Sequence, residues 1–153
     1  MISNLEVVLR LFLAVLLGGL VGLEREAKGR SAGFRTHILI CVGSCLVMLT
    51  GIYMAAVWPD GARVDPTRIP AQVVSGIGLL GAGTIIQLSD HVKGLTTAAG
   101  VWTVAGIGLA VGCGFYVGAV AATGLVLIVL LVLHRLEQTV GVKAKYVGGS
   151  GTP

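Results

Sequence analysis

Charged residues are scarce in this chain, and so are proline and cysteine. Asp, Glu, Lys and Arg make up 12% of the 153 residues, about half of the roughly 25% found in soluble domains. Four prolines and no Gly-X-Y period behind the 24 glycines exclude a collagen-like chain. The three cysteines lie in or near the ends of apolar runs, which does not fit a disulfide framework. Neither a Ser/His/Asp set nor a P-loop is present, so we predict a protein that is not an enzyme and has no cofactor.

Long apolar runs occupy most of the sequence. Hydrophobic residues account for 55% of the chain, and a membrane helix needs about 20 mostly apolar residues. We therefore predict an all-α polytopic membrane protein, a bundle of five transmembrane helices in a domain of residues 1–140, followed by a flexible cytoplasmic tail at 141–153. The helices are expected at about residues 5–23, 36–57, 66–88, 95–111 and 115–133. The N-terminus lacks a basic region and a cleavage site, so the first helix should remain in the mature protein.

The cations are distributed unequally between the two sides of this bundle. Eight fall on one side, in the loop after the first helix, the loop after the third helix and the C-terminal tail; three fall on the other, namely Arg10, Arg63 and Arg68. Cytoplasmic loops of membrane proteins carry the excess of Lys and Arg. We therefore expect the N-terminus outside, the C-terminus in the cytoplasm, the lipid bilayer as the surroundings, and no nucleic-acid partner despite the net charge of +4.

The stretch "GLEREAKGRSAGFRTH" concentrates charge between two apolar runs. Its cations suit a cytosolic hairpin, but acids contribute little to orientation, so Glu24 needs another explanation. One is a solvated helix end. Another is an ion pair across the hairpin between Glu24 and Arg35, because a carboxylate at membrane depth usually has a partner or a function. A third is an oxygen-rich site for Mg²⁺, with Glu24 as the candidate ligand.

Further polar residues lie in or near the later spans. Asp65 precedes Pro66 and is typical of a helix cap, with Arg68 as an ion-pair partner or an external cation site as the alternative. The other residues predict hydrogen bonds between helices or, alternatively, a path for a solute. The candidate polar cluster comprises Glu24, Arg25, Arg35, Thr36, His37, Asp65, Arg68, Gln72, Ser75, Thr84, Thr96 and Thr97.

Glycines recur at helical spacing. "SGIGLLGAG" contains a G-x-G-x-x-G pattern, but a dinucleotide site requires a strand before it, and here it lies in an apolar span. Close helix contacts are the favoured interpretation, with a broken helix that lines a cavity as the alternative. The helix-packing candidates are Gly18, Gly22, Gly76, Gly78, Gly81, Gly83, Gly108 and Gly112.

One face of the second helix carries His37, Cys41 and Cys45 at intervals of four. Small packing residues are the favoured interpretation, and a Zn²⁺ or Cu(I) site is the alternative.

A weak internal repeat relates the two cytosolic turns. Gly19–Thr36 and Gly78–Thr97 share a Gly-apolar-apolar-Gly start, a polar middle and a Gly-to-Thr end. We predict a parallel repeat of two helical hairpins that converge on one central site.

Three blocks of this sequence resemble the signature blocks of the MgtC/SapB family. They read "GLVGLEREAKGRSAGFRTHILICVGS", "DPTRIPAQVVSGIGLLGAGTII" and "VKGLTTAAGVWTVAGIGLAVGCGFY", within Leu13–Tyr116. Besides most of the candidates above, the family's characteristic positions fall on Gly33, Gly94, Leu95, Ala98, Ala99 and Trp102. The resemblance implies a multi-pass protein of the bacterial cytoplasmic (inner) membrane that serves magnesium homeostasis at low Mg²⁺ and is virulence-associated in some pathogens. It also implies a modulator, associated with the proton-driven ATP synthase, rather than a transporter.

Longer members of that family continue into a soluble domain after the fifth helix, whereas this chain ends soon after His134. We expect that domain's function to be lost or supplied by a partner.

Two functional hypotheses follow. The first is a regulatory membrane protein that contacts a partner complex through its Gly-rich faces and forms a homodimer. The second is a transporter or channel for Mg²⁺ or another small cation, with Glu24, Thr84 and Thr97 near its cytosolic mouth. A structural scaffold is a weaker third.

Overall fold

The computed structural model describes residues 2–57, 65 and 67–139, with side chains as far as Val132. Five helices occupy this part of the chain: α1 (Asn4–Ala27), α2 (Phe34–Val57), α3 (Arg68–Ala82), α4 (Leu95–Cys113) and α5 (Tyr116–Thr139). A two-stranded antiparallel hairpin, β1 (Ile86–Gln87) and β2 (Val92–Lys93), joins α3 to α4. The predicted all-helical architecture is confirmed. The predicted turn before Asp65 and the predicted tail at 141–153 lie outside the described residues.

Three of the helices, α1, α2 and α4, are long and apolar enough to cross a membrane. The described part of α5 contributes a shorter apolar stretch, Tyr116–Val132. These helices carry few acids or bases because a charged side chain in hydrocarbon is strongly disfavoured. By length and composition, the three long helices are therefore candidate membrane spans.

The third helix ends at Ala82, short of the Leu88 expected from its apolar run. Gly83 closes the helix, its backbone N–H donating to the Leu79 carbonyl. The following residues fold into the β hairpin. The turn back into α4 passes through Gly94, whose φ is +93° and whose position against the Thr84 carbonyl leaves no room for a Cβ. Only glycine satisfies both requirements without strain.

The centre of the bundle is the contact of α2 with α1 on one side and α4 on the other. A Cβ at Gly18 would lie 2.7 Å from the Cys41 Cβ, and one at Gly22 would lie 2.8 Å from the Phe34 Cα. Such distances are shorter than a side chain tolerates. These glycines therefore let the α1 and α2 backbones touch, as small residues do between membrane helices.

The same close approach brings α4 onto α2. A Cβ at Gly112 would lie 2.7 Å from the Cys45 carbonyl oxygen, and one at Gly108 would overlap the Cys41 carbonyl. Cys41 and Cys45 are themselves fully buried in the core between the three helices.

Helix α3 packs on α4 mainly near its own C-terminal end, where Gly81 meets Ala98. Most of its length is exposed, and among its described residues only Ile77 and Gly81 are buried. No described atom outside the backbone of α3 and the adjacent residues lies within 4 Å of a Cβ built at Gly76 or Gly78. Gly83 closes the helix instead of contacting another one.

Candidate functional site

A buried ion pair lies at the C-terminal end of α1. The side chains of Glu24 and Arg25 are 7% and 3% exposed, and Glu24 Oε2 lies 3.3 Å from Arg25 Nε. Arg25 points inward because it continues the buried stripe of Val21 and Gly22 at helical spacing. Two opposite charges removed from solvent in this way must neutralise one another, since an isolated buried charge is far too unfavourable.

His37, near the start of α2, faces the same end of the bundle. Its ring is fully buried, and Nδ1 lies 2.9 Å from the Gly33 carbonyl oxygen. That carbonyl only accepts, so Nδ1 carries the proton and Nε2 presents a lone pair. Nε2 points toward α4, where a Cβ at Gly100 would lie 3.6 Å from it. Thr97 is buried one turn earlier on α4.

Four buried polar atoms of this cluster have no hydrogen-bond partner in the described structure: Glu24 Oε2, Arg25 Nε, Arg25 Nη1 and His37 Nε2. The Glu24–Arg25 contact is thus an electrostatic pairing without a well-formed hydrogen bond. Buried polar groups are nearly always bonded, and each exception calls for an explanation. We define Glu24, Arg25 and His37 as the inner polar cluster.

Glu26 has a separate structural role in the turn between α1 and α2. Its Oε2 accepts a 2.8 Å hydrogen bond from the Phe34 backbone N–H at the start of α2. The first N–H groups of a helix have no partner within it. The Glu26 carboxylate, from the end of α1, therefore caps the N-terminus of α2. Gly29, with φ +62°, provides the reversal in between.

The remaining predicted site residues do not join the inner polar cluster. Arg35 and Thr36 are exposed on the first turn of α2, and the described structure contains no Glu24–Arg35 ion pair. The carboxylate instead pairs with its sequence neighbour, because Arg35 projects away from the α1 contact. Arg68, Gln72 and Ser75 are exposed on α3, and Thr96 is exposed on α4.

Two more predicted residues make local hydrogen bonds. Thr84 donates its hydroxyl to the Gly81 carbonyl at 2.8 Å. Asp65 accepts from both the hydroxyl and the backbone N–H of Thr67, and these bonds hold the pKa of the Asp65 carboxyl below its ordinary value. Arg68 adds a weak contact to Asp65 at 3.9 Å. The prediction of Asp65 as the helix cap was wrong in position, because α3 begins at Arg68 with Thr67 as its N-cap, and Asp65 bonds to that capping residue instead.

The described residues contain no group of three His, Cys, Asp or Glu side chains that could hold a metal ion. His37, Cys41 and Cys45 do lie on one buried face, but as packing residues between α1, α2 and α4. On α1, the Glu24 carboxylate lies 3.3 Å from the Arg25 guanidinium. This arrangement does not favour Mg²⁺, which prefers several oxygen ligands and retains waters.

A second polar cluster, which the sequence analysis missed, lies near the N-terminal end of α1. Arg10 is 8% exposed. It donates to the Tyr116 hydroxyl at 2.8 Å and to the Gly112 carbonyl at 2.6 Å, and it pairs with Glu6 one turn away. In the sequence, Arg10 enters only the comparison of charge between the two sides of the bundle. An arginine in an apolar run, four residues after a glutamate, was the available signal.

Comparison with known proteins identifies the family of this chain. The MgtC family model matches residues 11–139. The chain is 43% identical over 133 residues to "Putative magnesium transporter YhiD" of Escherichia coli, covering 86% of this chain and 62% of that protein. It is 41% identical over 133 residues to "Protein MgtC" of Salmonella typhimurium, covering 87% and 54%. It is 43% identical over 97 residues to "Protein SapB" of Bacillus subtilis, covering 61% and 42%.

The chain thus spans less than two thirds of the length of each of these relatives. No solved structure gives a significant match.

Proposed function

Because the chain belongs to the MgtC family, we propose that it is a non-enzymatic protein of the bacterial cytoplasmic membrane that serves magnesium homeostasis. In this proposal it takes part in adaptation to low Mg²⁺ and modulates membrane energetics by contacting a partner membrane complex. The proton-driven ATP synthase is the candidate partner. A relative named as a putative magnesium transporter supports the link to magnesium.

The proposed topology has five spans, with the N-terminus outside and the C-terminus in the cytoplasm. Exposed Lys28, Arg30 and Arg35 in and beside the α1–α2 turn support this orientation. The inner polar cluster then lies at the cytosolic end of the bundle. The Arg10 cluster lies at the outer end.

The observation that carries the proposal is the pairing of Glu24 with Arg25. A cation pathway needs carboxylate oxygens that are open to the ion. Here the Glu24 side chain is 7% exposed, and the Arg25 guanidinium neutralises it at a distance of 3.3 Å. A Mg²⁺ ion at Glu24 would also be repelled by Arg25. The cluster is therefore better suited to fixing the ends of α1 and α2 for a contact than to conducting Mg²⁺.

The face available for packing against a second copy of the chain is the exposed side of α3. Gln72 and Ser75 are exposed there beside Gly76 and Gly78. In lipid, a glutamine side chain gains when it bonds to another helix, and glycines let that helix approach closely. An amide both donates and accepts, so it suits a two-fold contact with a second copy. We expect a homodimer through this face.

The first experiment separates the regulator from the transporter. Purified protein in sealed liposomes loaded with a Mg²⁺-sensitive dye is compared with its Glu24→Gln variant and with empty liposomes. We expect no Mg²⁺ flux above that of empty liposomes for either protein. A flux in the wild type that disappears in Glu24→Gln would overturn the proposal and establish the alternative, a cation transporter or channel.

The second experiment tests the contact face. Gly78→Leu places a bulky side chain on the exposed face of α3, and Gly106→Leu does the same on the exposed side of α4; neither position has an atom within 4 Å of a built Cβ. We expect chemical cross-linking in membranes to give a dimer for wild type and Gly106→Leu, and a reduced yield for Gly78→Leu. Equal yields for all three would refute α3 as the contact face.

A further inference from the structure

The inner polar cluster contains unpartnered atoms of complementary kinds. Glu24 Oε2 and His37 Nε2 require donors, whereas Arg25 Nε and Nη1 require acceptors. All three side chains are at least nine-tenths buried. The described structure holds only the single 3.3 Å approach of Arg25 to Glu24.

Room for one small group lies next to one of these atoms. Gly100 is buried on α4, and, apart from the backbone of α4 itself and the two adjacent residues, His37 Nε2, at 3.6 Å, is the only described heavy atom within 4 Å of a Cβ built there. At Gly108, two turns further along the same helix, a built Cβ would overlap the α2 backbone. A close contact between helices is therefore not the reason for a glycine at position 100. The absence of a side chain leaves a gap beside a buried lone pair.

We propose that this gap holds internal water, so that the inner polar cluster is a hydration site shared by α1, α2 and α4. A water molecule has two donors and two acceptors, which match the two acceptor atoms and two donor atoms left without partners. Buried waters typically make about three such bonds to otherwise unsatisfied polar groups.

The charges of the site favour a neutral ligand over an ion. Glu24 and Arg25 cancel, and they follow Gly22, where a built Cβ would lie 3.1 Å from the His37 Cβ, by less than one turn of α1. An anion would be attracted by Arg25 but repelled by Glu24, and a cation the reverse. Water interacts favourably with both, and it gives α4 a polar connection to the two charged residues of α1.

The inference concerns the cluster used in the proposed function, but it does not depend on any flux or partner. Its test therefore fails or succeeds independently of that function. Water-edited solid-state NMR in lipid bilayers measures the transfer of polarisation from water protons to an individual side chain. The chain has three histidines, so replacing His91 and His134 leaves the signal of His37 alone.

We expect rapid transfer from water to the His37 ring and several-fold slower transfer to Cys41, which is equally buried one turn further along α2. Gly100→Ala places a methyl group in the gap at an ordinary contact distance of 3.6 Å from Nε2. The fold should therefore tolerate it, and transfer to His37 should fall several-fold. Gly106→Ala is the matched control on α4 and should leave the transfer unchanged.

A wild-type His37 signal that builds up as slowly as that of Cys41 would overturn the proposal without any variant. Unchanged transfer in a folded Gly100→Ala protein would also overturn it, because the water could not then occupy the space above Gly100. A third result would also contradict the charge argument. If transfer from water to His37 fell only after Mg²⁺ or phosphate was added, an ion would have displaced the water.

Discussion

Gly106 and Gly108 on α4 should respond in opposite ways to the same substitution. A Cβ at Gly108 would overlap the Cys41 carbonyl of α2 and lie 2.9 Å from the Ser44 Cβ. At Gly106 no described atom outside the backbone of α4 and the adjacent residues lies within 4 Å of a built Cβ. The obstacles at Gly108 are backbone and Cβ atoms, which cannot rotate away. Gly108→Ala must therefore separate α2 from α4, whereas Gly106→Ala adds a methyl group to open space.

The magnitude follows from two effects. Alanine is favoured over glycine inside a helix by up to about 1 kcal/mol, and this gain applies equally to both positions. Overpacking a tight contact raises the free energy by about 1–3 kcal/mol, and this penalty applies only at Gly108. Gly106→Ala should thus raise the free energy of unfolding by up to about 1 kcal/mol. The difference between the two variants should be about 1–3 kcal/mol in favour of Gly106→Ala.

The assay is reversible unfolding of the purified protein in mixed micelles by titration with sodium dodecyl sulfate, followed by circular dichroism. The comparison of the two variants cancels the helix-propensity effect and isolates the α2–α4 contact. Equal free energies of unfolding, or a less stable Gly106→Ala, would refute the argument that Gly108 is present because α2 and α4 touch there.

Three further results are expected. Arg10→Met removes a buried guanidinium that bonds to α4 and α5, and it should lower the free energy of unfolding by about 2 kcal/mol in the same assay; a neutral effect would contradict the outer cluster. Glu26→Ala removes the acceptor for the Phe34 N–H and should cost about 1 kcal/mol, with Glu26→Gln closer to wild type because it keeps an oxygen. N-ethylmaleimide should modify Cys113, which is exposed, in the folded protein, and should reach the two buried cysteines only after unfolding, as mass spectrometry would show; rapid modification of all three would contradict the packing.

The sequence predicted the long helices better than the connection after α3. Hydropathy identifies α1, α2 and α4 because their apolar runs far exceed the length of a strand. The run from Thr84 to Leu88 is short and apolar, and such a run fits a helix end or a strand equally well. The hairpin forms because Gln87 pairs with Val92 across the turn and Leu88 bonds to His91. Sequence spacing does not reveal that pairing.

The candidate site was only partly predictable for a similar reason. Glu24 stands out because it is an acid beside an apolar run, but several cations compete to be its partner. The choice of Arg25 over Arg35 depends on which face of α1 is buried. The positions Gly18, Val21, Gly22 and Arg25 follow one helical stripe, so the information was present in α1. The stripe selects Arg25 as the partner of Glu24 only because α2 covers it.

The Arg10 contacts set a condition on the order of assembly. Its bonding partners Gly112 and Tyr116 follow it by 102 and 106 positions, so they are synthesised long after α1 has left the ribosome. During that interval a guanidinium in an apolar helix would be strongly disfavoured in lipid. Glu6, one turn earlier on the same helix, is present from the start and can neutralise it. Glu6 is thus a partner for Arg10 that is in place before α4 and α5 are synthesised.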